Sequence, residues 1–94
     1  MRIIWGKRAE TDLFLSIGLI AKENPINAEK VLVEIIELSK SLSDSPYKYP
    51  KEPIYSDENV RVVPIYSYKM IYKIYPNKIR ILRLFHVKQN PKKI

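Results

Sequence analysis

Residues Val60 to Val87, VRVVPIYSYKMIYKIYPNKIRILRLFHV, are dense in Val, Ile and Tyr. β-Branched and aromatic side chains of this kind suit a pleated, half-buried surface. Turn-like breaks at Ser67-Tyr68 and Pro76-Asn77 divide the stretch into runs predicted as three consecutive antiparallel strands, about Val60 to Tyr66, Tyr68 to Tyr75 and Lys78 to Val87. Pro76 ends the middle strand by withholding an amide donor, and Pro64 puts the first at a sheet edge or a bulge. Alternation sets Arg61, Val63 and Ile65 on one face of their strand, and Lys78, Arg80, Leu82, Leu84 and His86 on one face of theirs. Arg83 has the opposite parity from His86 unless a bulge intervenes.

The same third of the chain holds the charge. From Val60 onward there are nine cations (Arg61, Lys69, Lys73, Lys78, Arg80, Arg83, Lys88, Lys92 and Lys93) and no acid, whereas the first 59 residues hold the other eight Lys and Arg and all ten acids. The net charge of +7 therefore arises wholly in the strand-rich part. A segment of this kind implies an anionic partner, whether nucleic acid, an acidic membrane surface or an acidic protein, although any single lysine reads first as a solvated surface charge.

Upstream, Arg2 to Trp5 reads as a strand that joins this sheet, and Gly6 breaks it. Between about Lys7 and Glu23 the residues Ala9, Leu13, Ile17, Ile20 and Ala21 recur at helical spacing. Gly18 inside that helix is expected to mark close helix packing. Asn24 with Pro25 is a helix-start signal, a side-chain cap followed by a residue with no amide to waste. The second helix is expected over about Pro25 to Ser43, burying Ala28, Val31, Leu32, Ile35, Leu38, Ser39 and Leu42, with Lys30 and Glu34 spaced for pairing on its solvated face. The expected fold is α+β: an N-terminal strand, then an antiparallel two-helix hairpin packed on one face of a mainly antiparallel sheet of about four strands. The length of 94 residues fits one domain over 1–94.

Asp44 to Asn59 has three of the seven prolines and no periodicity, so it reads as a long loop. It interleaves Tyr47, Tyr49 and Tyr55 with Lys48 and Lys51, a composition that stacks bases and holds phosphates. Equally, those rings can simply pin the loop to the domain.

The chain has no cysteine, which removes disulfides and thiolate ligands and fits a reducing compartment. One histidine without cysteine makes no recognisable metal cluster, so neither metal nor cofactor is expected. The N-terminal stretch lacks the apolar core of a signal peptide, and the run from Leu13 to Ala21 is far short of a ~20-residue membrane span. A soluble, cytoplasmic protein without a membrane partner is expected.

In that order of elements the sequence resembles the RelE/ParE toxin superfamily. Carrying the resemblance in the first half are Trp5, Ala9, Asp12-Leu13, Ile17, Ile20-Ala21, Asn24-Pro25, Ala28, Ile35, and Leu42 with Pro46. The second half adds Val60-Arg61, Tyr68, Ile71-Tyr72, Ile74, Ile81-Leu82-Arg83, His86 and Pro91. The resemblance implies the toxin of a type II toxin-antitoxin pair, neutralised by a cognate antitoxin with an acidic segment that wraps it. RelE-like members enter the ribosome and cleave mRNA without metal, which is the activity expected here; ParE-like members poison DNA gyrase without nuclease activity, which is the alternative, and the Asn24-Pro25 half looks more like ParE. A non-toxic basic binding module is a third reading.

For RNA cleavage a 2′-hydroxyl attacks the adjacent phosphate, which requires a base, an acid and a cation for the extra phosphate charge. The resemblance assigns Arg61 to phosphate binding, His86 to acid or base work, and Lys48 and Lys51 to the catalytic lysines of the loop. A guanidinium fork suits phosphate and an imidazole suits proton transfer near neutrality. Either lysine would need a lowered pKa to act as a base. Arg80, Arg83, Lys88, Tyr47 and Tyr49 are candidate nucleic-acid or antitoxin contacts. His86, beside Phe85 and Val87, also reads as a structural histidine, and Arg61 as a surface or antitoxin-binding residue.

Overall fold

The computed structural model describes residues 1–88; Pro91, Lys92, Lys93 and most of the basic tail lie outside them. The elements are β1 (Arg2–Trp5), α1 (Lys7–Glu23), α2 (Pro25–Ser41), β2 (Val60–Ile65), β3 (Tyr68–Ile74) and β4 (Lys78–His86). Strand order is β1-β4-β3-β2, with β1 parallel to β4 and the other pairs antiparallel.

Asn24 serves both helices. Its N–H donates to Ile20 O at the end of α1, its Oδ1 accepts from Asn27 N at 3.0 Å, and Pro25 follows at the first position of α2. Orphan amides and carbonyls at the corner are thus satisfied by one residue. Ala9, Val31, Ile35 and Leu42 from this hairpin bury against Met70, Tyr72, Ile79, Ile81 and Leu84 of the sheet. Fully burying each large side chain contributes about 1.5 to 3 kcal/mol. Trp5 joins this core and donates its indole N–H to Ser39 Oγ at 3.4 Å, while Ser39 Oγ–H donates to Ile36 O.

Three local expectations are corrected. A Cβ built on Gly18 meets nothing within 4 Å, so this glycine lies on open surface rather than at a close helix contact. Lys30 and Glu34 are exposed and form no ion pair, since water screens a pair on a solvated helix face. The β2–β3 reversal falls at Tyr66 and Ser67, one residue earlier than expected, because Ile65 pairs with Tyr68; Tyr66 takes φ 53° to close it.

Pro64 does sit on an edge strand. The outward-facing positions of β2 are used by the preceding loop, which places Val62 N–H on Pro50 O and Glu52 N–H on Val60 O. Pro64 is next in that alternation and has no N–H to offer, so the edge is closed to further pairing.

The central strand β4 has a bulge. Ile71 pairs with Arg83 while the next residue, Tyr72, pairs with Ile81, leaving Leu82 as the extra residue. Parity changes there. Ile79, Ile81 and Leu84 all face the helices, whereas Leu82 and Phe85 join Val60, Val62 and Ile71 in a smaller cluster on the other face. Leu84 and His86 consequently do not share a face with Lys78 and Arg80, contrary to the unbroken alternation.

β1 covers only the first half of β4, ending with Gly6 N–H on Ile81 O. Past that point Asp12 of α1 takes over. Its Oδ2 accepts from Leu84 N at 3.0 Å and Arg83 Nε at 2.7 Å, and its Oδ1 accepts from Arg83 Nη2 at 3.0 Å. The side chains are 15% and 10% exposed, so the pair lies out of water, and the hydrogen bond from Arg83 holds the guanidinium pKa above its already high ordinary value. Asp12→Ala leaves Arg83 buried without its carboxylate and should lower unfolding free energy by about 3 to 5 kcal/mol. In urea denaturation Asp12→Asn, which keeps an acceptor for Leu84 N–H, should fall between wild type and Ala.

Candidate functional site

Arg61 organises the segment between α2 and β2. Its Nε donates to Glu58 O at 3.1 Å and its Nη1 to Tyr49 O at 3.0 Å, and its guanidinium carbon lies 5.0 Å from the centre of the Tyr47 ring. Tyr47 Oη–H donates to Asn59 Oδ1 at 2.8 Å, Lys48 Nζ stands over Tyr49 at 5.4 Å, and Lys51 pairs with Glu58 at 3.1 Å. Lys51 also bridges to Arg61 through the backbone. Five of the residues read from the sequence, Arg61, Lys48, Lys51, Tyr47 and Tyr49, therefore do cluster. The arrangement is cationic and aromatic, yet two guanidinium N–H groups of Arg61 are already spent on loop carbonyls, out of the five it carries.

Two further anchors had no role at the site expected from the sequence. Tyr72 is fully buried and donates to Pro46 O at 2.7 Å, and burial pushes its phenol up to about 12. Asp57 pairs with Lys73 at 2.9 Å and accepts from Asn59 N. These bonds lower the Asp57 carboxyl below its ordinary range, the Asn59 N–H first and Lys73 second, while Asp57 raises the Lys73 ammonium. No periodicity marks such contacts, because they join residues distant in sequence.

His86 lies elsewhere. It pairs with Tyr68, packs edge-on against that ring at 5.2 Å, and accepts Lys88 N–H at Nδ1 at 3.1 Å. The partners of Arg61 and His86 on β3 are Tyr72 and Tyr68, and ladder spacing along and across the strands puts the two residues about 16 Å apart. Both project from the helix side of the sheet at opposite ends. Arg83 is the buried partner of Asp12, and Lys88 is exposed beside His86. Arg80 lies on the opposite face, its guanidinium against Gly6, where an added Cβ would stand 3.2 Å from Nε. Among the described residues no three His, Cys, Asp or Glu side chains are grouped to hold a metal ion, and no helix is long and apolar enough to cross a membrane.

A second kind of surface lies on the hairpin. Leu13, Phe14, Ile17, Gly18, Ala21 and Leu32 line an apolar groove of about 260 Å³, with Phe14 82% exposed. Ile26 is exposed to 83% nearby in sequence on α2.

Residues 3–91 match the family described as the ParE toxin of the type II toxin-antitoxin system parDE. No curated protein matches the chain. Among solved structures, the chromosomal ParDE toxin-antitoxin system of P. aeruginosa superposes with a TM-score of 0.75 at 21% identity, covering 92% of this chain and 95% of that one. The RelBE2 toxin-antitoxin complex of Mycobacterium tuberculosis superposes with a TM-score of 0.62 at 20% identity, covering 90% and 95%. At such identity these likenesses concern the fold: two helices on a four-stranded mixed sheet.

The loop anchors have measurable consequences. Tyr72→Phe leaves Pro46 O without its donor and should cost about 1 kcal/mol. Because the folded phenol pKa is raised, the stability it contributes is complete below the ordinary value of 10.0 and is lost as pH rises towards about 12. Alkaline unfolding followed by circular dichroism should therefore be less steep in the Phe variant. For Asp57 the folded pKa is lowered, so its contribution is present above 3.8 and lost as pH falls below it. Carboxyl NMR titration of Lys73→Met should still find Asp57 below 3.8, since the Asn59 N–H is the larger cause.

Proposed function

The chain belongs to the ParE toxin family of type II toxin-antitoxin systems, and from that premise we propose that it arrests growth by binding its target rather than by cutting RNA. DNA gyrase is the target that its resemblance to ParE-like members suggests. The observation that carries the reading is the separation of about 16 Å between Arg61 and His86. Proton transfer needs contact within about 3 Å or through one water, and two residues whose backbones stand at opposite ends of the sheet are poorly placed to meet on one phosphate. Two of the five N–H groups of Arg61 are moreover donated to Tyr49 O and Glu58 O, and His86 Nδ1 accepts from Lys88 N–H.

The cognate antitoxin is proposed to cover the apolar groove lined by Phe14, Ile17 and Leu32, where its apolar side chains replace water. RNA cleavage at the ribosome remains the second reading. It is favoured by the clustering of Arg61 with Lys48, Lys51 and Tyr47, which supplies cations and a ring at one place.

Induction in cells, with supercoiling and transcript integrity followed in parallel, separates the readings. The binding reading expects loss of gyrase supercoiling by the purified chain, intact transcripts, and growth arrest retained in His86→Ala. Under the nuclease reading, loss of a general acid or base lowers cleavage about 10²-fold or more. Fragmented mRNA, unaffected supercoiling and a harmless but folded His86→Ala would overturn the proposal. Unchanged growth on expression of the wild-type chain would favour the non-toxic binding module instead.

A further inference from the structure

On the face of the sheet turned away from the helices, the register assembles cations that are far apart in sequence. Arg2 pairs with Lys78, and Arg80 pairs with Ile4 on one side and Lys73 on the other. Successive same-face positions on a strand are about 7 Å apart and neighbouring strands about 4.8 Å apart, so Arg2, Lys78, Arg80 and Lys73 form one tight block. Asp57 neutralises Lys73. Arg2, Lys78 and Arg80 have no carboxylate partner among the described residues.

We propose that this Arg2, Lys78 and Arg80 face binds the phosphate backbone of duplex DNA without regard to sequence. Like charges held this close by a β-ladder repel one another, and a polyanion with closely spaced charges relieves that repulsion. Duplex DNA carries one charge per about 1.7 Å of its axis. The donors are ammonium and guanidinium groups only, with the Arg80 guanidinium seated against Gly6, which suits phosphate oxygens more than a base-reading set of mixed donors and acceptors.

The aromatic beside the block argues for a duplex over a single strand. Single-strand binding stacks bases on open rings. Tyr75 instead has Lys73 Nζ over its ring at 5.3 Å and Lys78 Nζ at 5.1 Å, so the ring is already engaged by cations. Its role here is to hold the two ammonium groups. This inference stands on the charge of the sheet and does not depend on which target the toxin arrests.

The test is fluorescence anisotropy of a short labelled duplex of arbitrary sequence with the purified full chain over a salt series. Three phosphate contacts should give a slope of log affinity against log salt of about −3. Arg2→Ala, Lys78→Ala and Arg80→Ala should each weaken binding about three- to tenfold and reduce the slope by about 1. Arg80→Lys should keep the slope, and Lys30→Ala and Lys40→Ala, which remove equal charge from the exposed side of α2, should leave binding unchanged. Circular dichroism of each variant establishes that the fold is retained, and Arg2, exposed at the chain's first strand, tests the face even where an Arg80 variant misfolds. Absence of duplex binding overturns the proposal, as does equal loss from the Lys30 and Lys40 variants. So does tighter competition by single-stranded RNA, and competition by polyglutamate of matched charge as effective as DNA would reassign the face to an acidic protein.

Discussion

A strand in the middle of a sheet must satisfy its amides on both sides, and β4 meets that requirement with two different partners. β1 serves its first half through Ile81, and the Asp12 carboxylate of α1 serves Leu84 where β1 has run out. The same carboxylate takes both forks of Arg83. Helix and sheet are thereby tied by a buried charge pair and by the ladder itself, which fixes where α1 lies across the sheet. The hairpin core built on Ala9, Ile35 and Leu42 depends on that placement.

The bulge at Leu82 works with this closure. By inserting one residue, β4 gives Ile79, Ile81 and Leu84 to the helices and leaves Lys78, Arg80 and Leu82 on the other side. One face is then apolar and covered, the other charged beside a small apolar cluster. The loop before β2 belongs to the same economy of contacts. Arg61 and Tyr72 bind its carbonyls, so a segment rich in proline and tyrosine is held to the sheet without secondary structure of its own.

Most of the architecture was legible because it rests on local rules. Helical spacing from Ala9 to Ile20, the Asn24-Pro25 start and the dense β-branched runs after Val60 all mark elements that form where expected. Pro64 marked an edge strand for the reason that it lacks an amide. Gly18 misled because a glycine in a helix signals space for something, and here that space opens on solvent. The candidate site was legible in part. Arg61, Lys48, Lys51, Tyr47 and Tyr49 meet, being close in sequence or joined by a single strand pairing. His86 stands apart, and Arg83 is taken up by Asp12, seventy-one residues away.

The amino-acid sequence by itself determined the order and type of elements, the excess of positive charge after Val60, and the absence of thiol chemistry, since periodicity, capping and composition act over a few residues. Alternation already put Lys78 with Arg80, but that Arg2 and Lys73 join them was decided only in the tertiary structure. A one-residue bulge reverses the parity of everything beyond it, and strand register sets which distant side chains become neighbours. Arg2 joins Lys78, and Arg61 is parted from His86, through pairings that no local pattern encodes.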